Sequence, residues 1–126
     1  MKIKYSDNGE ISLEGSRSEL EHLHNDIIGI QGADKHELIV NIEKSCDPAP
    51  YDYAAIKIVF NVSTENSIQI EDASLKLKGT REFFNNFALN LPFDIDEVPY
   101  HVHYDYISFP EFLKEGTPEI VIEATS

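Results

Sequence analysis

The chain has one cysteine, Cys46, no tryptophan, and no apolar run near the roughly 20 residues that a bilayer span requires. A lone thiol excludes an internal disulfide and points to a reducing cytosol. The opening stretch MKIKYSDNGE moves from a short basic-apolar segment straight into turn residues, without the apolar core of a secretory signal. The expectation is a cytoplasmic protein that does not enter a membrane. Positive charge is also scarce: ten Lys and Arg residues, two of them arginines, face 23 acidic ones, for a formal net charge of −13. No basic cluster is available to track a phosphate backbone, and neither G-x-G-x-x-G nor G-x-x-x-x-G-K-[ST] occurs. A charge of this sign repels nucleic acid and attracts basic proteins. The excess gathers in residues 92–126, where Asp94, Asp96, Glu97, Asp105, Glu111, Glu115, Glu119 and Glu123 stand against Lys114 alone.

What is present is a repeat. At 126 residues and 41% hydrophobic content, the chain has the size and composition of one globular domain. Residues 11–27, ISLEGSRSELEHLHNDI, align with residues 75–91, LKLKGTREFFNNFALNL, at an offset of 64. Apolar positions match at Ile11/Leu75, Leu13/Leu77, Leu20/Phe84, Leu23/Phe87 and Ile27/Leu91, and Gly15-Ser16-Arg17 matches Gly79-Thr80-Arg81. In both copies the apolar period is two before the glycine and helical after it. Ser16 and Thr80 are N-caps, and Ser16 with Glu19 forms a capping box that Phe83 removes from the second copy. Gly29 and Gly32 end the first helix and Pro92 stops the second. Strand patterns flank each helix at 2–5, 37–43 and 55–62, and again at 67–70, 101–107 and 119–124. The expected fold is α+β: a tandem β-β-α-β-β unit, residues 1–63 and 64–126, giving a single domain. That domain should carry a mostly antiparallel sheet of about eight strands, two helices and an internal pseudo-twofold axis.

Chemistry-bearing residues are few. On an extended strand His101, His103 and Asp105 share one face, while Val102, Tyr104 and Tyr106 share the other. Two imidazoles and a carboxylate on one face are ligands for zinc or ferrous iron, so a small metal-binding protein is one reading. The matching strand of the first half carries Glu37, Ile39 and Asn41 and lacks this set. His22 and His24 point in opposing directions on a helix, His22 toward solvent and His24 at the border of the apolar stripe of Leu20, Leu23 and Ile27, and both read as ordinary surface histidines. Cys46 sits in S-C-D-P beside acidic residues that raise a thiol pKa, which argues against nucleophilic catalysis. No pair of carboxylates is marked as an acid/base couple, so the expectation is a non-enzymatic protein without a cofactor.

Two loops mix acids with aromatics. Residues 45–54 hold Tyr51, Asp52 and Tyr53 after two prolines, and residues 92–100 hold Asp94, Asp96, Glu97 and Tyr100. Tyrosine buries a large rigid area and keeps a polar end, which suits a protein interface. The expected contact surface is acidic, drawn mainly from residues 92–105 including His101, His103 and Asp105, with Tyr51–Tyr53 as a second contributor.

The run Gly79-Thr80-Arg81 with its helix, then HVHYDY, then GTPEIVIE at 116–123, resembles the immunity protein 32 family. These are small α+β proteins of bacterial polymorphic-toxin systems. The first half is similar through ISLEGS and the following helix, and it lacks the histidine strand. The resemblance implies a cytosolic protein that binds and blocks a cognate toxin domain; the chain itself is expected to be a monomer or a homodimer. The family's H-x-H-x-[DE] strand then falls on His101, His103 and Asp105. A basic toxin, such as a nuclease, would complement the acidic surface; an interaction module without a toxin partner is the remaining reading.

Overall fold

A computed structural model describes residues 1–31, 35–42 and 47–126; Gly32, Glu43 and Cys46 lie outside the described residues. Elements run in the order β1 (Lys2–Tyr5), β2 (Ile11–Gly15), α1 (Arg17–Gly29), β3 (Glu37–Asn41), β4 (Tyr53–Ala54) and β5 (Lys57–Val62). The second half supplies β6 (Ser67–Glu71), β7 (Ser74–Gly79), α2 (Arg81–Leu89), β8 (Tyr100–Tyr104) and β9 (Ile120–Ala124). The class is α+β as expected, with the strands in two mostly antiparallel sheets.

The switch from strand to helix follows the caps. Ser16 Oγ accepts the Glu19 N–H at 3.0 Å, and the Glu19 carboxylate accepts the Ser16 N–H at 3.0 Å, closing the capping box. Thr80 Oγ1 likewise accepts the Phe83 N–H at 3.2 Å. With Phe83 unable to return a bond, the Thr80 N–H donates instead to Asn66 Oδ1 at 3.0 Å. Asn66 also donates through Nδ2 to the Phe112 carbonyl at 3.1 Å, so one side chain replaces the missing carboxylate and pins a distant loop. Both helices then bury one stripe: Leu20, Leu23 and Ile27 on α1, and Phe83, Phe84, Phe87 and Ala88 on α2.

The sheets exchange strands between the two halves of the chain. The first has the order β4-β1-β2-β9-β8 and the second β3-β5-β7-β6. In each, the hairpin before a helix joins, in parallel, a strand that follows the other helix. β2 meets β9 with Ile11 opposite Ile120 and Leu13 opposite Ile122, and β5 meets β7 with Ile58 opposite Leu75 and Phe60 opposite Leu77. The periodicity identifies these strands and their inward faces, and the pairing between halves is a finding of the structure. Three details depart from the sequence reading. β4 emerges from the proline loop and pairs with β1, β8 stops at Tyr104 short of Ile107, and β5 begins at Lys57.

One apolar cluster serves both sheets and both helices. Phe87 of α2 lies 6.0 Å from Phe60 of the second sheet and 5.1 Å from Tyr104 of the first, ring centre to ring centre. The helices lock each other's exits through matched arginines. Arg17 donates to the Ile95 carbonyl at 3.1 Å beyond α2, and Arg81 donates to the carbonyls of Ile30 and Lys35 beyond α1.

Because each sheet needs strands from both halves, residues 1–63 or 64–126 expressed alone should show no cooperative thermal transition by circular dichroism. An equimolar mixture should regain the transition; a half that unfolds cooperatively alone would contradict the exchanged topology. At Gly79 (φ +159°), an added Cβ would lie 2.6 Å from Phe83 Cδ2 and would strike Asn66 Oδ1. Gly79→Ala should therefore lower unfolding free energy by about 1–3 kcal/mol in urea titrations, and an unchanged midpoint would show that this corner can relax.

Candidate functional site

β8 is the outer strand of the first sheet. Its alternation is as expected: Val102 lies opposite Ile122 and Tyr104 opposite Ile120 toward the core, while His101 lies opposite Glu123 and His103 opposite Val121 on the outward face. The two imidazole rings sit 5.2 Å apart, nearly edge to face. His103 Nδ1 is 2.7 Å from Glu119 Oε1, both side chains being about half exposed at 51% and 44%. Sequence reading missed Glu119 because it stands 16 residues away, just before β9, and only the β8–β9 register brings it beside His103.

Asp105 does not join the histidine face. The strand ends one residue earlier, and the Asp105 carboxylate accepts the Ser108 N–H at 2.8 Å while its carbonyl accepts the Phe109 N–H at 3.0 Å. This Asx-type turn takes the carboxylate that the metal reading needed. Among the described residues no group of three or more His, Cys, Asp or Glu side chains is placed to hold a metal ion, so His101, His103 and Asp105 are not a ligand set here. His24 borders the apolar stripe as expected, but it is not an ordinary surface histidine. It is half-buried, with Nδ1 3.3 Å from the Ala88 carbonyl and its ring 4.9 Å from Phe93, so it is a helix–helix contact. His22 is exposed as expected.

The turn after β8 is held firmly from inside. Tyr104 is fully buried, donates its hydroxyl to Asn86 Oδ1 at 2.7 Å, and stacks on Phe109 at 4.7 Å. Burial pushes its phenol well above the usual tyrosine range, with the Glu111 charge adding to the effect. Beyond Asp105 the character reverses: Tyr106 and Ile107 are exposed, Ile107 at 86%. Tyr100, at the start of β8, is 48% exposed. Large apolar side chains thus stand at both ends of this strand, and Asp94, Asp96 and Glu97 are all exposed just before it.

The second set of predicted contacts lies elsewhere. β4 is four strand spacings from β8, about 19 Å across the sheet. Asp52 is occupied in holding the β1–β2 hairpin, its Oδ2 accepting the Asp7 N–H at 3.3 Å. Tyr53 packs on Tyr5 at 5.2 Å and donates to Asp7 Oδ2 at 3.2 Å, a bond that raises its phenol pKa. Tyr51 alone reaches toward the histidine face, lining with Asn8, Glu10, Pro118, Glu119 and Val121 an open groove of about 560 Å³. The structure therefore places Tyr100, His101 and His103 on one edge, with the exposed 94–97 acids in the segment that leads into it, and leaves Asp52 and Tyr53 at the other.

The second sheet presents a different outward face. Register places Lys57, Lys76 and Lys78 on the side away from Leu75 and Leu77, with Lys76 bonded to Glu71 at 2.7 Å. The matching edge strand there, β3, carries Glu37, Ile39 and Asn41 outward. No helix is long and apolar enough to cross a membrane among the described residues. Comparison of the chain with protein-family models, curated proteins and solved structures finds no match.

Tyr104→Phe should remove about 1 kcal/mol of stability by leaving Asn86 without its donor. The pH dependence has a definite sign. A phenol whose folded pKa is raised contributes stability that is complete below the unfolded value of about 10 and is lost as pH climbs above it. Denaturant midpoints of the wild type should therefore fall above about pH 10, with a shallower fall in Tyr104→Phe; parallel curves would dismiss Tyr104 as the cause.

Proposed function

We propose that this chain neutralises a basic toxin domain by binding it along the acidic edge of the first sheet, acting as a binding protein and not as an enzyme. The observation that carries the reading is the surface along β8, where exposed Asp94, Asp96 and Glu97 precede the strand, exposed Tyr100 opens it, and exposed Tyr106 and Ile107 follow its far end. Aromatic and aliphatic anchors within a charged surround match the anatomy of a specific protein interface. The resemblance of HVHYDY and GTPEIVIE to the immunity protein 32 family supports the same reading. So does the net charge of −13, since an inhibitor must capture its toxin before damage accumulates. Opposite charge raises association toward about 10⁸–10⁹ M⁻¹s⁻¹, against roughly 10⁵–10⁶ M⁻¹s⁻¹ without steering. The cytoplasm of the producing cell is where such a partner would be met.

Co-expression supplies the test. The C-terminal domain encoded by the neighbouring upstream gene is produced in a test bacterium with and without this protein, and survivors are counted. Rescue is the expected result; equal killing with and without the chain would sink the reading. For the complex so obtained, alanine at Asp94, Asp96 and Glu97 together should slow association about tenfold at low salt and flatten its salt dependence. Stopped-flow rates with an unchanged salt slope would remove these three acids from the interface.

A further inference from the structure

The first sheet ends at β8 with its backbone open. Tyr100–Tyr104 pairs only with β9, and among the described residues no main-chain group of these five is bonded by a loop or side chain. Three of the usual devices that blunt such an edge are missing from β8 itself. β8 contains no proline or lysine and is not shortened to two residues, as the opposite edge strand β4 is. The edge is instead bracketed by exposed Tyr100 at its start and by Tyr106 and Ile107 just past its end. The turn bearing the latter two is fixed by the Asp105–Ser108 bond and the Tyr104–Phe109 stack, so both anchors are held in place before any partner arrives.

We infer that β8 receives an extended segment of a basic partner chain as a sixth strand of the first sheet, with Tyr100 at one end and Tyr106–Ile107 at the other. This deepens the toxin-binding proposal and rests on it for the partner's identity. Main-chain bonds along the open edge supply affinity and alternate side chains supply selectivity in this mode of recognition. Charge selects the occupant. Asp94, Asp96 and Glu97 precede the strand, and Glu119 and Glu123 lie one strand inward on the outward face, where lysine or arginine side chains of an added strand can reach. A second copy of the chain would bring its own excess of negative charge to the same edge.

A peptide separates these cases without a toxin. The probe is an acetylated and amidated octapeptide of alternating lysine and valine, compared with the same peptide N-methylated at every residue, which leaves no N–H donor on either edge. Both carry the same charge, and only the first can complete a ladder. The unmodified peptide should bind with 1:1 stoichiometry and slow amide hydrogen exchange within residues 100–104, while the N-methylated one binds at least about tenfold more weakly. Equal binding of the two would mean charge attraction alone and overturn the inference. So would absent binding, or slowed exchange at β3 or β6 in place of β8. Slowing at 100–104 that rises with protein concentration in the absence of peptide would assign the edge to a second copy. Toxin rescue without protection by peptide would refute the added strand alone, whereas protection without rescue would uphold the edge and refute the toxin reading.

Discussion

Two parallel strand pairings, β2 with β9 and β5 with β7, hold every other part of this molecule in place. Each ladder splices a hairpin from one half of the chain to a hairpin-like pair from the other. The β2–β9 ladder sets Ile11 beside Ile120, so the first sheet is incomplete until nearly the whole chain is present. Such long closures cost entropy before they return contacts, which makes the topology a slow one to reach and a cooperative one to lose. Once both ladders exist, the apolar faces of the sheets share one cluster with the two helices, and Phe87 can touch Phe60 and Tyr104 together. Without the exchange, each helix would meet only the strands of its own half.

The arginine pair converts that arrangement into a placed surface. Arg17 and Arg81 occupy the first turn of their helices, where a positive charge is electrostatically unfavourable. Their value lies at the far ends of the side chains. A planar guanidinium offers several donors in a fixed fork, so Arg81 holds two carbonyls beyond α1 and Arg17 holds one beyond α2. The carbonyl that Arg17 grips belongs to Ile95, between Asp94 and Asp96. The backbone is thereby fixed at the point where the acidic side chains leave it for solvent.

Local chemistry was legible in the sequence, and choice of partner strand was not. Period-two alternation gave the inward residues of β2, β7, β8 and β9, and Ser16 and Thr80 marked both helix starts. Nothing in an alternating pattern states which other strand it will face, because the inward side chains of β5 and β9 suit either hairpin equally well. The same limit hid Glu119, whose nearness to His103 is a property of register. Asp105 failed for another reason. The strand pattern continues through Tyr106, but an aspartate three residues before Ser108 can close a turn on itself, and that local bond competes with extension of the ladder. The β4 pairing escaped notice because two residues carry no period. Phe83, read only as a lost capping box, concealed its substitute in Asn66.

The scaffold offers comparable outer strands in β3 and β8, yet their surroundings oppose each other. Inward of β3 the outward face of the second sheet presents Lys57 on β5 and Lys76 and Lys78 on β7, and beside β8 the first sheet presents Glu119 and Glu123, with the exposed 94–97 acids in the segment leading into the strand. At physiological salt the screening length is about 8 Å, so a partner at contact range responds to these local groups more than to the sum over the chain. A basic segment approaching β3 meets Glu37 on the strand and Lys57 one strand inward, with Lys76 and Lys78 behind, whereas the same segment approaching β8 meets carboxylates and two imidazoles. The exposed Ile39 on β3 and the exposed Tyr100 on β8 are both apolar invitations; charge discriminates between them. On the proposed reading, net charge sets the class of partner that would be drawn in from solution, and the placement of a few lysines and glutamates on two similar sheets would determine which edge it reaches.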